Sequence, residues 1–153
     1  MIATTSTPAK EELVKKLGAD HVINYKTDVT WGETARKLTG GIGVDYIIEV
    51  GGPGTLQQSL NCIKFEGIIS IIGFLAPGAS IPSVLDTLSK ICVVRGVYVG
   101  SRTMLEDMVK AIEANNIHPV VDKSSFTLDE VKDAYNYMVS ANPLFAFDFC
   151  LIS

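Results

Sequence analysis

Short apolar runs alternate with amphipathic stretches along nearly the whole chain. Ile2-Ala-Thr-Thr5 is β-prone. Thr7 then offers an N-cap and Pro8 a first helical position, where a missing N–H costs nothing. Leu13, Val14 and Leu17 continue at helical spacing up to Gly18. His21-Val-Ile-Asn24 reads as a second strand. Thr30-Trp-Gly-Glu33 has the form of a capping box and opens a helix to about Leu38. After the break Thr39-Gly-Gly-Ile-Gly43 comes Val44-Asp-Tyr-Ile-Ile-Glu-Val50, nearly continuous in apolar character, as in a strand covered on both faces. The turn Gly51-Gly-Pro-Gly54 leads to a second capping box, Thr55-Leu-Gln-Gln58, and a helix face of Leu56, Leu60 and Ile63. Gly67-Ile-Ile-Ser-Ile-Ile-Gly73 is the most apolar strand. Ser83-Val-Leu-Asp86 caps a shorter helix, and Val93-Val-Arg-Gly-Val-Tyr-Val99 is strand-like.

The last third of the sequence is more amphipathic. Thr103-Met-Leu-Glu106 opens a helix with Met104, Leu105, Met108, Val109 and Ile112 on one face. Pro119-Val-Val121 is short and extended. Thr127-Leu-Asp-Glu130 caps a last helix bearing Leu128, Val131, Ala134, Tyr135 and Met138, which Pro143 ends. Phe145, Phe147 and Phe149 then alternate at strand period, as in a segment that covers a sheet edge or joins a partner. Strand–helix alternation with buried-type strands predicts an α/β fold, a doubly wound parallel sheet in one domain over residues 1–153. No internal repeat or dividing linker interrupts it.

Composition narrows the function classes. At 47% apolar and 20% charged residues, the chain has the makings of a folded core. Thirteen basic against seventeen acidic residues give −4, with no Lys/Arg cluster, so neither nucleic acid nor an anionic membrane is an expected partner. Cys62, Cys92 and Cys150 are too scattered for a disulfide framework or a zinc knuckle. His21 and His118 have no neighbouring ligand, so no metal, zinc included, is expected. The start of the chain lacks a leader pattern, and no apolar run reaches spanning length. The expected location is cytoplasmic.

Four phrases carry a resemblance: Leu17-Gly-Ala-Asp-His-Val-Ile-Asn-Tyr25, Leu38-Thr-Gly-Gly41, Glu49-Val-Gly-Gly-Pro-Gly-Thr55 and Val99-Gly-Ser-Arg102. In this order they resemble the medium-chain dehydrogenase/reductase superfamily, especially its zinc-type alcohol dehydrogenase and quinone reductase-like members. The resemblance covers roughly residues 2–141. It implies a truncated Rossmann-like domain that starts at the family's second strand. The first strand, its glycine-rich phosphate loop and the N-terminal catalytic domain are expected to be absent. In strand order 3-2-1-4-5-6 that first strand is central. Either the flanking strands close up, another chain fills the gap, or the sequence is a piece of a larger protein. The end, Asn142-Pro-Leu-Phe-Ala-Phe-Asp-Phe-Cys-Leu-Ile-Ser153, departs from the family's terminal strand.

The resemblance also nominates cofactor contacts. Thr5, Ser6, Lys10 and Tyr25 match positions near the adenosine ribose. Gly51, Gly52, Gly73, Phe74 and Leu75 match the segments that flank the nicotinamide, and Ser101 is grouped with them. Thr4-Thr-Ser-Thr7 offers no carboxylate for a ribose 2′-hydroxyl, which favours NADP over NAD. Glu49, late in an apolar strand, is either a general acid/base or an acceptor for loop N–H groups. Tyr98 and Arg102 are the other weak candidates for catalysis. Ser59 and Ser70 have no visible base. The 93–99 strand resembles the edge through which family members form homodimers. The implied function is the cofactor-binding portion of an NAD(P)-dependent oxidoreductase acting on a small molecule, weak or inactive alone. Two alternatives stand beside it: a scaffold repurposed for an isomerase, cyclase or lyase step, and a non-catalytic dimeric scaffold.

Overall fold

The computed structural model describes residues 1–76, 78, 82–118, 120, 124–140 and 148–151. It divides into two compact units. The first holds Met1–Val97 together with the strand at 148–151; the second begins at Tyr98.

In the first unit the order is β1 (Ile2–Thr5), α1 (Pro8–Lys16), β2 (His21–Asn24), α2 (Trp31–Leu38), β3 (Val44–Glu49), α3 (Leu56–Cys62), β4 (Ile63–Ile71), α4 (Val84–Lys90), β5 (Val93–Gly96) and β6 (Asp148–Leu151). The six strands form one sheet in the order β2-β1-β6-β3-β4-β5. β1 pairs with β2, β3 with β4 and β4 with β5, all parallel. β6 is antiparallel to both neighbours, with Ala3 opposite Phe149 and Ile47 opposite Cys150. The central gap expected from the sequence is thus filled by the chain's own last strand, and the sheet is mixed at that place.

Successive residues of a strand face opposite sides, and the two cores follow that rule. Ile2 and Ile23 join Trp31, Ala35, Val44, Ile47, Leu60, Cys62, Ile63 and Ile69 in one buried cluster, under α2 and α3. Ala3 packs with Val14, Ala19 and Val22 on the other face, under α1. Helices therefore cover both faces, as in a doubly wound sheet.

Local caps depart from the sequence reading where other partners, near or far in sequence, compete for the same side chains. α1 begins as expected, with the Thr7 hydroxyl accepting from the Lys10 N–H at 3.4 Å. Thr30 makes no cap. Its N–H and hydroxyl donate to Asp28 Oδ1, and the Thr34 hydroxyl donates to Oδ2 at 2.6 Å. The Thr34 hydroxyl, first among these causes, holds the Asp28 carboxyl below its ordinary range. The box at Thr55 also fails to form, because Thr55 donates to Glu49 while Gln58 Oε1 accepts from the Gly32 N–H at 3.0 Å. The boxes at Ser83–Asp86 and Thr127–Glu130 do form.

Two strand boundaries also move. β4 begins at Ile63, which the sequence reading gave to the preceding helix. Its first residues are irregular, with Glu66 at φ 62° and its N–H on the Ile91 carbonyl. β5 stops at Gly96, opposite the end of β4 at Ile71; the Val97 N–H still donates to the Ile71 carbonyl at 2.9 Å, and Val99 turns to φ 48°.

Ile91 closes α4 at φ 49°, ψ 51°, a left-handed conformation that costs a β-branched residue about 1–2 kcal/mol. Its side chain is mostly exposed, so little burial opposes a change. Ile91→Asn is expected to stabilise the first unit by about 1 kcal/mol and raise its melting temperature by roughly 2–4 °C, read by circular dichroism. A lower melting temperature would show that the Ile91 side chain contributes more than its backbone costs.

The second unit contains α5 (Arg102–Ala114), a 3₁₀ turn at Leu128–Glu130 and α6 (Val131–Val139). Ser101, not Thr103, caps α5, accepting from the Met104 N–H at 3.2 Å. The segment read as extended at 119–121 lies largely outside the described residues. Among the described residues no helix is long and apolar enough to cross a membrane.

Candidate functional site

All five parallel strands end at one edge of the sheet. Thr5 lies in register with Asn24, Glu49 with Ile71, and Ile71 with Gly96. Open α/β sheets bind ligands outside this carboxyl edge. Nine of the nominated residues fall along it; Ser101 belongs to the second unit.

The adenosine-side group sits where β1 and β2 end. Thr5 is itself buried, and its carbonyl accepts from the Tyr25 N–H at 3.0 Å. That leaves Ser6, half-buried Lys10 and exposed Tyr25 as the accessible side chains. Lys10 occupies the third position of α1, where a helix dipole disfavours a cation unless an anion is near. Asn24 Nδ2 donates to Glu11 Oε1 at 2.9 Å and ties the end of β2 to the first turn of α1 at this corner.

Glu49 builds the next corner. It is 3% exposed, and its carboxylate is fully engaged. Oε1 accepts from the N–H groups of Gly51 and Gly52, each at 2.9 Å, and from the Thr55 hydroxyl. Oε2 accepts from the Ser59 hydroxyl. The first sequence reading, a free acid/base, needs an accessible oxygen. The geometry instead makes Glu49 an internal anchor for the Gly51-Gly52-Pro53 turn. Ser59 is fully buried and committed to this bond, so it faces no substrate.

The two glycine turns interlock. Gly52 has φ +73°, and a Cβ there would come within 2.8 Å of Phe74 Cα. A Cβ on Gly73 would lie 2.6 Å from the Val50 carbonyl oxygen. Backbone bonds complete the lock: Leu75 N–H to Val50 O at 3.2 Å, Ala76 N–H to Gly51 O at 2.8 Å, and Gly54 N–H to Ala76 O at 3.1 Å. Phe74 and Leu75 are left with exposed side chains at 79% and 73%, an apolar ledge on the ligand edge.

The other nominated residues lie elsewhere. Ser101 uses its hydroxyl as the α5 cap, Arg102 Nε donates to Glu106 Oε1 at 2.7 Å, and Tyr98 is exposed. All three belong to the second unit. His21 opens β2 at the opposite, amino edge. That edge has a cavity of about 700 Å³ lined by Met1, Asp20, His21, Thr39, Asp45 and Lys64. Its charges are paired, Lys64 with Asp45 and the Met1 amine with Asp20. The Asp45 partner raises the Lys64 pKa. Cys92 is half-buried, and burial pushes its thiol up. Among the described residues no group of three or more His, Cys, Asp or Glu side chains could hold a metal ion.

The residues missed by sequence reasoning are the hydroxyl donors to Glu49. Thr55 and Ser59 follow it by six and ten positions, which a strand–turn–helix unit brings back over the strand end. That an acidic residue ends an apolar strand just before two glycines was the available signal.

A family model described as zinc-binding dehydrogenase matches residues 1–114. A zinc-type alcohol dehydrogenase-like protein of Schizosaccharomyces pombe is 46% identical over 141 residues, covering 90% of this chain and 40% of that protein. A 2-haloacrylate reductase of a Burkholderia species is 33% identical over 148 residues, covering 90% of this chain and 44% of the relative. The crystal structure of benzyl alcohol dehydrogenase from Acinetobacter calcoaceticus superposes with a TM-score of 0.72 at 28% identity, covering 94% of this chain and 40% of that one. The chain thus spans less than half the length of each of these relatives. With the sheet order, the carboxyl-edge glycine turns and these matches in agreement, the chain belongs to the zinc-binding dehydrogenase family of medium-chain dehydrogenases/reductases and corresponds to part of their cofactor domain.

Proposed function

We propose that this chain is a nucleotide-binding portion of an NAD(P)-dependent oxidoreductase that keeps the adenosine half of the cofactor site and prefers the 2′-phosphorylated form. The observation that supports this most is the corner at the end of β1. It presents Ser6, Lys10 and Tyr25, with no carboxylate in Thr4–Thr7 and the neighbouring Glu11 engaged by Asn24, and Lys10 adds its charge to the amino end of α1. A 2′-phosphate would be met there by a cation and hydroxyls. When a nicotinamide cofactor is bound, it supplies hydride transfer; the protein's part is position and electrostatics.

The pyrophosphate half fits less well. The Gly51 and Gly52 N–H groups are already held by Glu49. β6 runs antiparallel, so its start, not its end, lies at the carboxyl edge, and no helix amino end can follow it there. The reading is therefore confined to the adenosine side. A cytoplasmic setting, a small-molecule substrate and a homodimer through the 93–99 edge belong to the same proposal. β5 is the sheet's outer strand, with Val93 53% exposed.

Calorimetric titration with 2′,5′-ADP and 5′-AMP tests it. 2′,5′-ADP should bind about tenfold more tightly, the 1.4 kcal/mol worth of one charge-assisted contact, and Lys10→Ala should erase the difference. Equal affinities, or no binding of either nucleotide, would overturn the reading and leave the repurposed enzyme or the scaffold. NADPH should bind no more tightly than 2′,5′-ADP.

A further inference from the structure

We propose that the slot between β1 and β3 accepts the β6 segment of a second copy, so that the chain forms a strand-exchanged homodimer. Both walls of the slot come from one early stretch of chain, Ile2–Thr5 and Val44–Glu49. The filler, Asp148–Leu151, returns to them only after a separate compact unit that begins at Tyr98. The covalent path therefore does not dictate whose β6 enters.

The slot cannot stay open. Withdrawing β6 would leave two facing rows of backbone N–H and C=O groups in the middle of a sheet, a cost no folded domain carries. Occupancy is thus required, while the identity of the donor is free. The strand is held through main-chain register: Ile2 opposite Cys150, Ala3 opposite Phe149, Thr4 opposite Asp148, Tyr46 opposite Leu151 and Ile47 opposite Cys150. The same register forms whichever copy donates it, which makes exchange of an identical element a low-cost route to a dimer. Each parallel pair is joined within the first unit through one helix, α1, α3 or α4, and β6 has no such link to either neighbour. In sequence, residues 144–152 carry a single charge, Asp148, so a β6 segment released from its own slot is a sticky strand seeking an acceptor.

The test uses full chains in which Cys92 and Cys150 are replaced by Ser. One carries Thr4→Cys and the other Asp148→Cys, since these positions are register partners. The two are unfolded, mixed in equal amounts, refolded and oxidised. A disulfide-linked heterodimer, in excess of any dimer from either variant alone and rising with protein concentration during refolding, is the expected result. The contact reads the slot alone, so a dimer through the β5 edge would not produce it. If the mixture yields no such dimer while Thr4→Cys/Asp148→Cys in one chain gives only an internally bridged monomer, β6 stays in its own slot and the proposal fails. Bridging in neither sample overturns it as well. Light scattering on the unmodified chain is an independent check, because a mass of one chain at every accessible concentration excludes the dimer.

Discussion

Replacing Glu49 by Ala is expected to destabilise the first unit by about 4 kcal/mol, a fall in melting temperature of roughly 8–16 °C. The size follows from what the carboxylate holds. Two buried N–H groups, at Gly51 and Gly52, and the hydroxyls of Thr55 and Ser59 all donate to it. Alanine would leave those donors buried without an acceptor, and each unsatisfied buried donor costs about 1–3 kcal/mol. The hydroxyls can turn toward other acceptors, whereas the two glycine N–H groups cannot. Glu49→Gln separates acceptance from charge. Its amide oxygen can keep the place of Oε1, and its amide nitrogen can donate to Ser59, which accepts as readily as it donates. The expected cost is about 1.5 kcal/mol, the charge-assisted share alone. Thermal melts of the two variants decide the matter. Equal, small losses would show that Glu49 does not hold the turn, and would reopen its reading as a free acid/base at the ligand edge.

Cys150→Pro is the second large effect. Cys150 lies opposite Ile2 on one side and Ile47 on the other, at the centre of the sheet. Proline removes its N–H and fixes φ near the value of an edge or turn residue, a combination that central strands do not tolerate. A loss of about 3 kcal/mol or more is expected, with a melting temperature lower by at least roughly 6 °C. Soluble yield should fall too, because the β1 and β3 walls become open edges. Cys150→Ser keeps the N–H and measures the side-chain contribution by itself. If the proline variant melts with the serine variant, the β6 ladder contributes nothing to the sheet.

The alternation of elements was legible because each helix and strand declares itself locally. Thr7 and Pro8 start α1 from their own backbone preferences, and Ile2–Thr5 and His21–Asn24 lie where their β-prone residues place them. The capping motifs divided along a physical line. At Ser83 and Thr127 the boxes are exposed and close on themselves. At Thr30 and Thr55 a nearby carboxylate, Asp28 or Glu49, takes the hydroxyl instead. A carboxylate is the stronger acceptor, and only folding brings Glu49 to Thr55. The start of β4 was hidden for a similar reason. Lys64 and Glu66 are at least partly exposed and break the apolar pattern, yet Val44 still pairs with Ile63 before them.

The α/β class was therefore written in the sequence itself, through turn glycines, cap residues and apolar runs that act over a few positions, and the family and the carboxyl-edge residues were implied by the resemblance of four phrases. The tertiary structure alone decided two things. Of the two sequence readings of Glu49, an acid/base or an acceptor for loop N–H groups, it formed the second, at the Gly51–Gly52 turn. It also filled the central gap with β6, running antiparallel. Filling the gap brings together segments far apart in sequence, whereas Glu49 meets donors two to ten positions on; in both cases a buried backbone group must be paired. No local preference encodes that demand; it arises only once the sheet has assembled around it.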